Sequence, residues 1–436
     1  MDDRFPRAIL HLDGDSFFAS VEQALDYRLL GKPIVTGAER GAATALSYEA
    51  KSKGARRGMT LREIRELCPD VIIVPSNYTA YSIYAHRMYN IVRKFTPLVE
   101  EYSIDECFAD ITGLDERFGS YEEAALTIKR QLENDLAITF GVGLAPNKTL
   151  AKVASAFRKP AGFTSLPRAV IPEFIREMPA GAVWGVGFQT SLKLERLGVR
   201  MAGEFAQKDL AWLRENHISK PYKEIWSELN GAYVKPVVPH SSAENRIGSI
   251  IKSHTFTPSR DRSFVLSQVA KNLEAACAKA RRHGVKGRFC RFYLKTQSFT
   301  YAGLTLDVSV PLSDPREFLR AIEANFDDVY EPGEQYRATG IGLYALTAES
   351  AVTPDLFGVS KAGEHGTSLI EAMDRLNHKY GRHTVFLGES MEAVCANEDE
   401  RIERVSRRRP SAASKLVLPI HQRKKTVSIP HLGVAH

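Results

Sequence analysis

The segment Tyr102-Ser103-Ile104-Asp105-Glu106-Cys107-Phe108 carries two neighbouring carboxylates between aromatic and aliphatic positions. β-Branched and aromatic residues on both sides predict two short strands joined by a tight turn. Asp105 and Glu106 would then lie side by side at a rigid, partly buried tip. Adjacent carboxylates in apolar surroundings repel each other and lose hydration, so they need a compensating cation. Mg²⁺, a hard cation with oxygen ligands, meets that need where phosphates are handled. Taken alone, however, an acidic pair of this kind is more often a solvated turn.

A second acidic segment lies near the start of the chain, Ile9-Leu10-His11-Leu12-Asp13-Gly14-Asp15-Ser16-Phe17-Phe18. An apolar run ends in Asp13, a glycine turn follows, and an aromatic pair opens a predicted helix from Ser16 to Leu30. Opposite a strand that bears Asp105 and Glu106, Asp13 would complete a cage for two divalent ions. Two such ions clamp the attacking and leaving oxygens of an in-line phosphoryl displacement.

These two segments resemble the first and second motifs of Y-family DNA polymerases. A third segment resembles the next motif of that family and follows Gly141-Val142-Gly143; it runs from Ala145-Pro146-Asn147-Lys148 to Lys159-Pro160-Ala161-Gly162. Three motifs in order make the resemblance specific, and it extends over about residues 5 to 390. It implies a multidomain α/β and α+β chain with the right-hand polymerase architecture.

The resemblance, together with the helix and strand patterns, predicts a series of domains. They are a palm (1–18 and 77–166), fingers (19–76), a helix-hairpin-helix thumb (167–231), a linker (232–245), an α+β little finger (246–347), a tail segment (348–396) and a basic, disordered tail (397–436). The linker is expected from its Pro and Ser content. The last segment is expected from its many Arg and Lys residues.

The resemblance also assigns roles to residues of the nucleotide site. Asp13, Asp105 and the Gly14 carbonyl would hold one Mg²⁺ ion, and Asp13, Asp105 and Glu106 would hold a second, catalytic one. The residues expected to contact the nucleotide are Phe17, Phe18, Tyr48, Lys51 and Lys159, with Phe18 as the steric gate against ribonucleotides. The family more often has Arg at the place of Lys51, and a lysine supplies a point charge rather than a fork. Without the motif match, Tyr48 would be an ordinary helix residue, Lys159 a solvated turn lysine, and both phenylalanines core residues.

Contacts with primer-template DNA are expected at two further places. Gly185 and Gly187 lie in a predicted helix-hairpin-helix, where backbone N–H groups at a helix start can approach a phosphate. Lys252, Arg288 and Arg291 belong to a basic face of the little finger that suits a duplex backbone. Such a charged run is otherwise a solvated face.

A short peptide that fills an apolar pocket on the sliding clamp is typical of the family. Thr353-Pro354-Asp355-Leu356-Phe357 occupies a suitable place but lacks the usual Gln and first Leu, and Leu356 and Phe357 are the expected anchors. The segment Lys415-Leu416-Val417-Leu418-Pro419-Ile420 is a second candidate. Both could instead pack within the tail.

Composition agrees with these expectations. The chain has 436 residues with 44% hydrophobic content and a net charge of +7, which favours a polyanionic partner. Five scattered cysteines form no zinc spacing and indicate reduced thiols. No signal peptide or apolar membrane span is evident, so a cytoplasmic location is expected.

The predicted function is low-fidelity, translesion DNA synthesis from deoxynucleoside triphosphates by two-metal nucleotidyl transfer, without proofreading. Two other classes stay open. A non-catalytic DNA-binding adaptor would be expected to lose the carboxylates, and a palm-fold nucleotidyl cyclase would not need a thumb and a basic little finger. Primer extension on a DNA template separates the three.

Overall fold

The computed structural model describes residues 5–239, 247–351 and 361–396. The chain divides into two compact units, Met1–Arg246 and Ile247–His436. The expected clamp-binding residues Leu356 and Phe357, and the basic segment 397–436, lie outside the described residues.

The first unit alternates short strands with helices in a mixed order. Its elements are β1 (Ile9–Gly14), α1 (Phe17–Leu25), β2 (Ile34–Thr36), β3 (Ala45–Leu46), α2 (Tyr48–Ser52), α3 (Leu61–Leu67), β4 (Ile72–Val74), α4 (Tyr78–Arg93), β5 (Val99–Ser103), β6 (Glu106–Asp110), α5 (Asp115–Phe118), α6 (Tyr121–Leu136), β7 (Phe140–Ala145), α7 (Lys148–Phe157), β8 (Phe163–Ser165), α8 (Ile171–Arg176), α9 (Phe188–Arg196), α10 (Ala202–Ala206), α11 (Leu210–Glu215) and α12 (Lys220–Leu229).

A mixed sheet in the order β5-β6-β1-β7-β8 forms the centre of this unit. All neighbours are antiparallel except β7 and β8. Alternation along β1 assigns its residues to two faces: Leu10 and Leu12 pack in a core with α4 and α6, whereas Ile9 packs in a second core with α7. His11 and Asp13 share the parity of Ile9 and therefore lie on the α7 side.

The first unit contains two smaller groups of elements besides this sheet. Strands β3-β2-β4 form a sheet with their own apolar cluster, which includes Val35, Leu46 and Ile64 from β2, β3 and α3. Helices α8 to α12 pack around the core that also holds α7. Residues 232–239 of the expected linker are attached to this unit: the Val238 N–H donates to Glu100 Oε2 over 2.9 Å, and Val237 is buried.

The second unit is a four-stranded antiparallel sheet with helices on one face. Its elements are β9 (Ser249–Ser259), α13 (Arg262–Arg282), β10 (Val285–Thr296), β11 (Tyr301–Leu312), α14 (Pro315–Ala324), β12 (Tyr336–Ala348) and α15 (Lys361–Tyr380). The strand order is β11-β10-β12-β9, and α13 and α14 cover the face that presents Cys290, Phe292 and Leu294. The segment after α15 is tied to α13, where Ser390 donates to Glu274 and Lys271 Nζ donates to the Ala393 carbonyl over 3.2 Å.

The expected α/β and α+β fold class is confirmed, including the hairpin of β5 and β6 with Ile104 and Asp105 in its turn. One helix is shorter than expected. The helix that begins after Ser16 ends at Leu25 rather than Leu30. Asp26 is extended and its side chain accepts the Arg28 N–H over 3.1 Å, which starts a separate 3₁₀ turn.

Candidate active site

Strand register brings the two acidic segments together. Asp13 on β1 is the direct cross-strand partner of Glu106 on β6. The Gly14 N–H donates to the Asp105 carbonyl over 2.8 Å, which joins the end of β1 to the turn between β5 and β6. Directly opposite residues on one face of an antiparallel pair have Cβ atoms about 5 Å apart. The Asp13 and Glu106 side chains therefore project from adjacent strands on the same face, beside the Asp105 turn.

Glu106 is held by two groups from the α7 side of the sheet. Its Oε2 lies 2.5 Å from Lys152 Nζ and 3.1 Å from His11 Nε2. Burial alone would raise the pKa of this carboxyl, but the hydrogen bonds from His11 and Lys152 outweigh it and lower the pKa to about 2. Burial lowers the pKa of His11, so its ring is neutral and positions the carboxylate by hydrogen bonding. Glu106 is ionised throughout the neutral range.

Asp13 faces Lys159, whose Nζ lies 2.6 Å from Asp13 Oδ1. Burial raises the pKa of Asp13, and the lysine opposes that rise. Gly141, the cross-strand neighbour of Asp13 on β7, makes this approach possible. A Cβ at that position would lie 2.7 Å from Lys159 Cε, so any larger residue would displace the lysine chain. The first glycine of Gly141-Val142-Gly143 is thus a packing requirement of the site.

Asp15 is a central residue of the site that sequence reasoning missed. Its carboxylate is buried and accepts the Thr139 hydroxyl over 2.9 Å and the Ala161 N–H over 2.6 Å. The Tyr48 hydroxyl donates to it over 3.3 Å. Asp15 therefore connects α2 with the residue that precedes β7 and with the loop that carries Lys159. Asp15 lies in the turn between β1 and α1, so strand alternation could not predict its partners.

Lys152 and His11 were also absent from the sequence-based assignment. Lys152 lies one helical turn after Lys148 on α7, and Lys148 Nζ contacts both oxygens of Glu100 at 2.7 Å. Both lysines thus contact acids on β5 and β6. Their spacing was visible in the sequence, but their partners were not, because the contacts span about fifty residues.

Tyr48 and Lys51 of α2 lie next to the end of β1. Lys51 Nζ donates to Ser16 Oγ over 2.7 Å and lies 4.3 Å from the centre of the Tyr48 ring. Burial and the nearby Lys159 lower the pKa of Lys51, while burial raises the pKa of Tyr48. The structure therefore brings Tyr48, Lys51 and Lys159 into one cationic region beside Asp13.

The two phenylalanines of α1 have different environments. Phe17 is 3% exposed and belongs to the core, and a Cβ at Gly14 would lie 2.7 Å from its ring. Phe18 is half-buried and stacks on Tyr81 with ring centres 4.3 Å apart and planes 10° apart. Tyr81 in turn donates to Glu22 over 2.8 Å. The ring of Phe18 thus rests against that of Tyr81, and Phe17 fills the core.

The donor set of the site consists of hard oxygen atoms. Carboxylates of Asp13, Asp105 and Glu106, with the Gly14 carbonyl, are ligands that Mg²⁺ accepts. Within the described residues, no three His, Cys, Asp or Glu side chains converge closely enough to hold a metal ion. Ammonium groups of Lys159 and Lys152 neutralise Asp13 and Glu106 instead, and Ser103 Oγ donates to Asp105 Oδ1 over 2.5 Å. The negative charge of these carboxylates is therefore balanced by lysines in this structure, and a divalent cation could balance the same charge.

Two family models match most of both units. The impB/mucB/samB family matches residues 12–156, and the C-terminal domain of the same family matches residues 248–356. A DNA polymerase IV of Pelotomaculum thermopropionicum is 31% identical over 395 residues, which cover 88% of this chain and 95% of that protein. A DNA polymerase IV of Moorella thermoacetica is 33% identical over 393 residues, covering 87% and 94%.

The chain belongs to the Y-family DNA polymerases. Its fold is also that of a solved structure, a Y-family DNA polymerase chimera of Dbh and Dpo4. That structure has a TM-score of 0.67 and 23% identity, and the match covers 78% of this chain and 99% of the chimera.

The expected DNA-contacting residues of this Y-family chain lie on both units. Gly185 has a φ of 92°, in the left-handed region, and Gly187 is the N-cap of α9. On β10, Arg291 alternates with the buried Cys290 and Phe292 and so lies on the face opposite α13. Arg288 is in an ion pair with Asp307, 3.1 Å away on β11.

Lys252 on β9 has the parity of the buried Ile250 and Phe256, so its side chain lies on the α13 side of the sheet. There burial and the positive charges of Lys279, Arg382 and Arg282 lower its pKa. Lys252 and Arg291 thus point away from each other across the sheet.

Among the described residues, no helix combines the length and the apolar character needed to cross a membrane.

Proposed function

We propose that this chain catalyses template-directed transfer of a deoxynucleotide to the 3′ end of a DNA primer, with release of pyrophosphate. The observation that carries the proposal is the cross-strand pairing of Asp13 with Glu106, beside the Asp105 turn and facing Lys159. Two-metal nucleotidyl transfer needs carboxylates that converge from separate strands and a cation for the triphosphate. Membership of the Y family supports the same reaction.

The hard oxygen donors of the site suit Mg²⁺ in their chemistry, and we propose that two such ions bind there, although the acids of the described residues do not converge closely enough to hold a metal in this structure. Asp13, Asp105 and the Gly14 carbonyl would hold the ion that accompanies the nucleotide, and Asp13, Asp105 and Glu106 would hold the ion beside the primer end. When bound, such ions lower the pKa of the primer hydroxyl and neutralise charge on the phosphate oxygens. His11 and Lys152 keep Glu106 ionised and oriented for this role.

The residues around Asp13 would position the nucleotide. Lys159 would leave its contact with Asp13 and bind an oxygen of the triphosphate. Tyr48 and Lys51 would also contact the triphosphate. Asp15 holds this set together, because it bonds Tyr48 and the backbone beside Lys159. Phe17 and Phe18 would lie beneath the sugar, and Phe18, backed by Tyr81, would collide with a 2′-hydroxyl.

On DNA, Gly185 and Gly187 would contact a phosphate through backbone N–H groups, and Arg288 and Arg291 would contact the duplex backbone. Lys252 would contribute from the α13 side of the sheet. We further propose synthesis past damaged bases with low fidelity, binding to a sliding clamp through Leu356 and Phe357, and a cytoplasmic location. The domain boundaries expected from the sequence belong to the same proposal.

Primer extension tests the function directly. The purified chain is incubated with a labelled primer on a template of defined sequence, the four deoxynucleoside triphosphates and Mg²⁺. The proposal requires extension that follows the template base and stops when Mg²⁺ is chelated. A chain that binds DNA without extending it would be an adaptor, and one that cyclises free nucleotide would be a cyclase. A template with an abasic site tests the translesion part separately.

A further inference from the structure

The hairpin between β10 and β11 presents two large aromatic rings to solvent. Phe299 is 60% exposed and Tyr301 is 63% exposed. Exposed aromatic rings grouped at one point of a surface indicate an interaction site more often than isolated ones do. The group lies in the hairpin of β10 and β11 in the second unit, whereas the candidate active site is built from residues of the first unit.

The turn holds Phe299 in a conformation that disfavours a side chain. Its φ is 70°, in the left-handed region that suits glycine. A network of hydroxyl groups holds the turn in place: Thr296 Oγ1 lies 2.8 Å from Ser298 Oγ and 2.6 Å from Thr300 Oγ1. The Phe299 N–H donates to the Thr296 carbonyl over 3.1 Å. A rigid turn thus carries a bulky ring outward at a position where glycine would be the unstrained choice, a pattern associated with function.

Two cations lie close to these rings. Lys295 Nζ lies 4.7 Å from the centre of the Phe299 ring and 4.7 Å from that of the Tyr301 ring. Arg337 Cζ lies 4.6 Å from the Phe299 ring centre. Among the residues that the structure describes, neither cation is in an ion pair with a carboxylate. Their charges therefore remain available to an anionic ligand.

A third ring extends this surface across the sheet. Tyr293 lies beside Tyr301, with ring centres 5.7 Å apart. It rests directly on the backbone of β12, because a Cβ at Gly340 would lie 2.4 Å from the ring. The glycine therefore lets the aromatic surface lie flat on the open face of the sheet, the face that also carries Arg291.

We propose that Phe299 and Tyr301, with Lys295 and Arg337, form a platform that binds unpaired bases of single-stranded DNA. Flat rings stack on nucleobases of any sequence, and neighbouring cations contact the intervening phosphates. Duplex DNA does not offer this contact, because its bases are already stacked on each other. The cations make a nucleic acid a better occupant than an apolar protein surface. This site is separate from the proposed nucleotidyl transfer.

Fluorescence anisotropy with two probes, a short labelled oligothymidine and a blunt duplex of equal length, tests the platform on the full chain. The double variant F299G/Y301T removes both rings; glycine suits the φ of residue 299, and threonine suits a strand. We expect its affinity for oligothymidine to fall at least about fivefold, as for loss of stacked aromatic residues. Affinity for the blunt duplex should stay unchanged.

Three control variants make the result specific. F299Y keeps the ring and should bind oligothymidine like the wild type. Y27A removes a ring that is 80% exposed in the first unit and should have no effect. K295Q should reduce the dependence of oligothymidine binding on salt, because one phosphate contact is lost.

The proposal is wrong if the double variant retains its affinity for oligothymidine, since the rings would then serve packing or a protein contact. It is also wrong if both probes lose affinity equally. The measurement uses neither nucleotide nor Mg²⁺, so a chain that failed to extend primers would still give a clear answer.

Discussion

Lys159 Nζ lies 2.6 Å from Asp13 Oδ1, across the space that Gly141 leaves open on β7. Burial raises the pKa of Asp13, and the lysine is the main group that opposes the rise. The same ammonium group lies 3.8 Å from Asp15 Oδ1. One cation thus contacts the half-buried Asp13 and the buried Asp15 at the end of β1, and its removal should affect both charge and nucleotide binding.

Replacing Lys159 by Ala should raise the KM for the nucleotide by about tenfold or more, because a charge directed at the triphosphate is lost. The pKa of Asp13 should rise without its counter-charge, so the acidic limb of kcat/KM should move to higher pH. Steady-state primer extension across the pH range measures both effects. Lys220→Ala, at a lysine whose side chain is 89% exposed, is the matched control. An unshifted acidic limb would contradict the role of Lys159 beside Asp13.

Asp105→Ala and Glu106→Ala should each remove nucleotide transfer while DNA binding survives. Loss of an anionic ligand abolishes the metal cage but does not weaken attraction to a polyanion. Extension assays and DNA titrations on the same preparations separate the two properties. Glu116→Ala changes an exposed acid on α5 and should behave like the wild type. Near-normal extension by either active-site variant would disprove the metal assignment.

Phe18→Ala should admit ribonucleotides. The ring that stacks on Tyr81 would be missing, and with it the surface that excludes a 2′-hydroxyl. The ratio of ribonucleotide to deoxynucleotide insertion should rise by about tenfold or more, in keeping with the loss of a steric contact. Phe18→Tyr keeps the ring and should retain selectivity. If the ratio for the alanine variant does not rise, Phe18 is not the gate.

Glu274 should make the second unit less stable as pH rises. Burial raises the pKa of this carboxyl, so the folded unit keeps its proton to higher pH than the unfolded chain does. The free energy of unfolding therefore falls between the ordinary pKa and the raised one. Glu274→Gln keeps an acceptor for Ser390 and the Leu387 N–H but has no charge. Denaturant unfolding at several pH values should show a flatter dependence for the variant; an identical slope would exclude Glu274 as the cause.

Glu228→Ala should destabilise the first unit by about 2–4 kcal/mol, because buried donors lose their acceptor. Glu228 is fully buried on α12; it accepts the Thr149 hydroxyl, and the Lys235 N–H over 2.9 Å. Urea unfolding measures the loss. Glu224→Ala, on the same helix, should cost much less, since Glu224 forms a long, 3.9 Å ion pair with the exposed Lys220. Equal losses would show that helix packing, and not the buried acceptor, sets the cost.

The order of elements was readable from local pattern. The β-branched and aromatic residues on both sides of Asp105 and Glu106 predicted the β5–β6 hairpin, and the aromatic pair after Asp13 predicted the helix α1, although that helix ends at Leu25 rather than Leu30. These features are determined by residues close to one another along the chain, so the sequence alone is enough to predict them. The three motifs likewise singled out Asp13, Asp105, Glu106 and Lys159, which the fold brings close together.

What local pattern could not determine was which charged groups meet. Glu106 on β6 is contacted by Lys152 from α7 and by His11 from β1. Asp15 joins Tyr48 to the loop that carries Lys159. Lys252 and Arg291 lie on opposite faces of the sheet, because successive residues of a strand point to opposite faces and a shift of one residue in register reverses the assignment. Such pairings depend on strand order and helix docking over long stretches of chain. The sequence therefore determined the elements and the principal acids, and the tertiary structure determined their partners, because burial and charge pairing arise only when distant segments pack together.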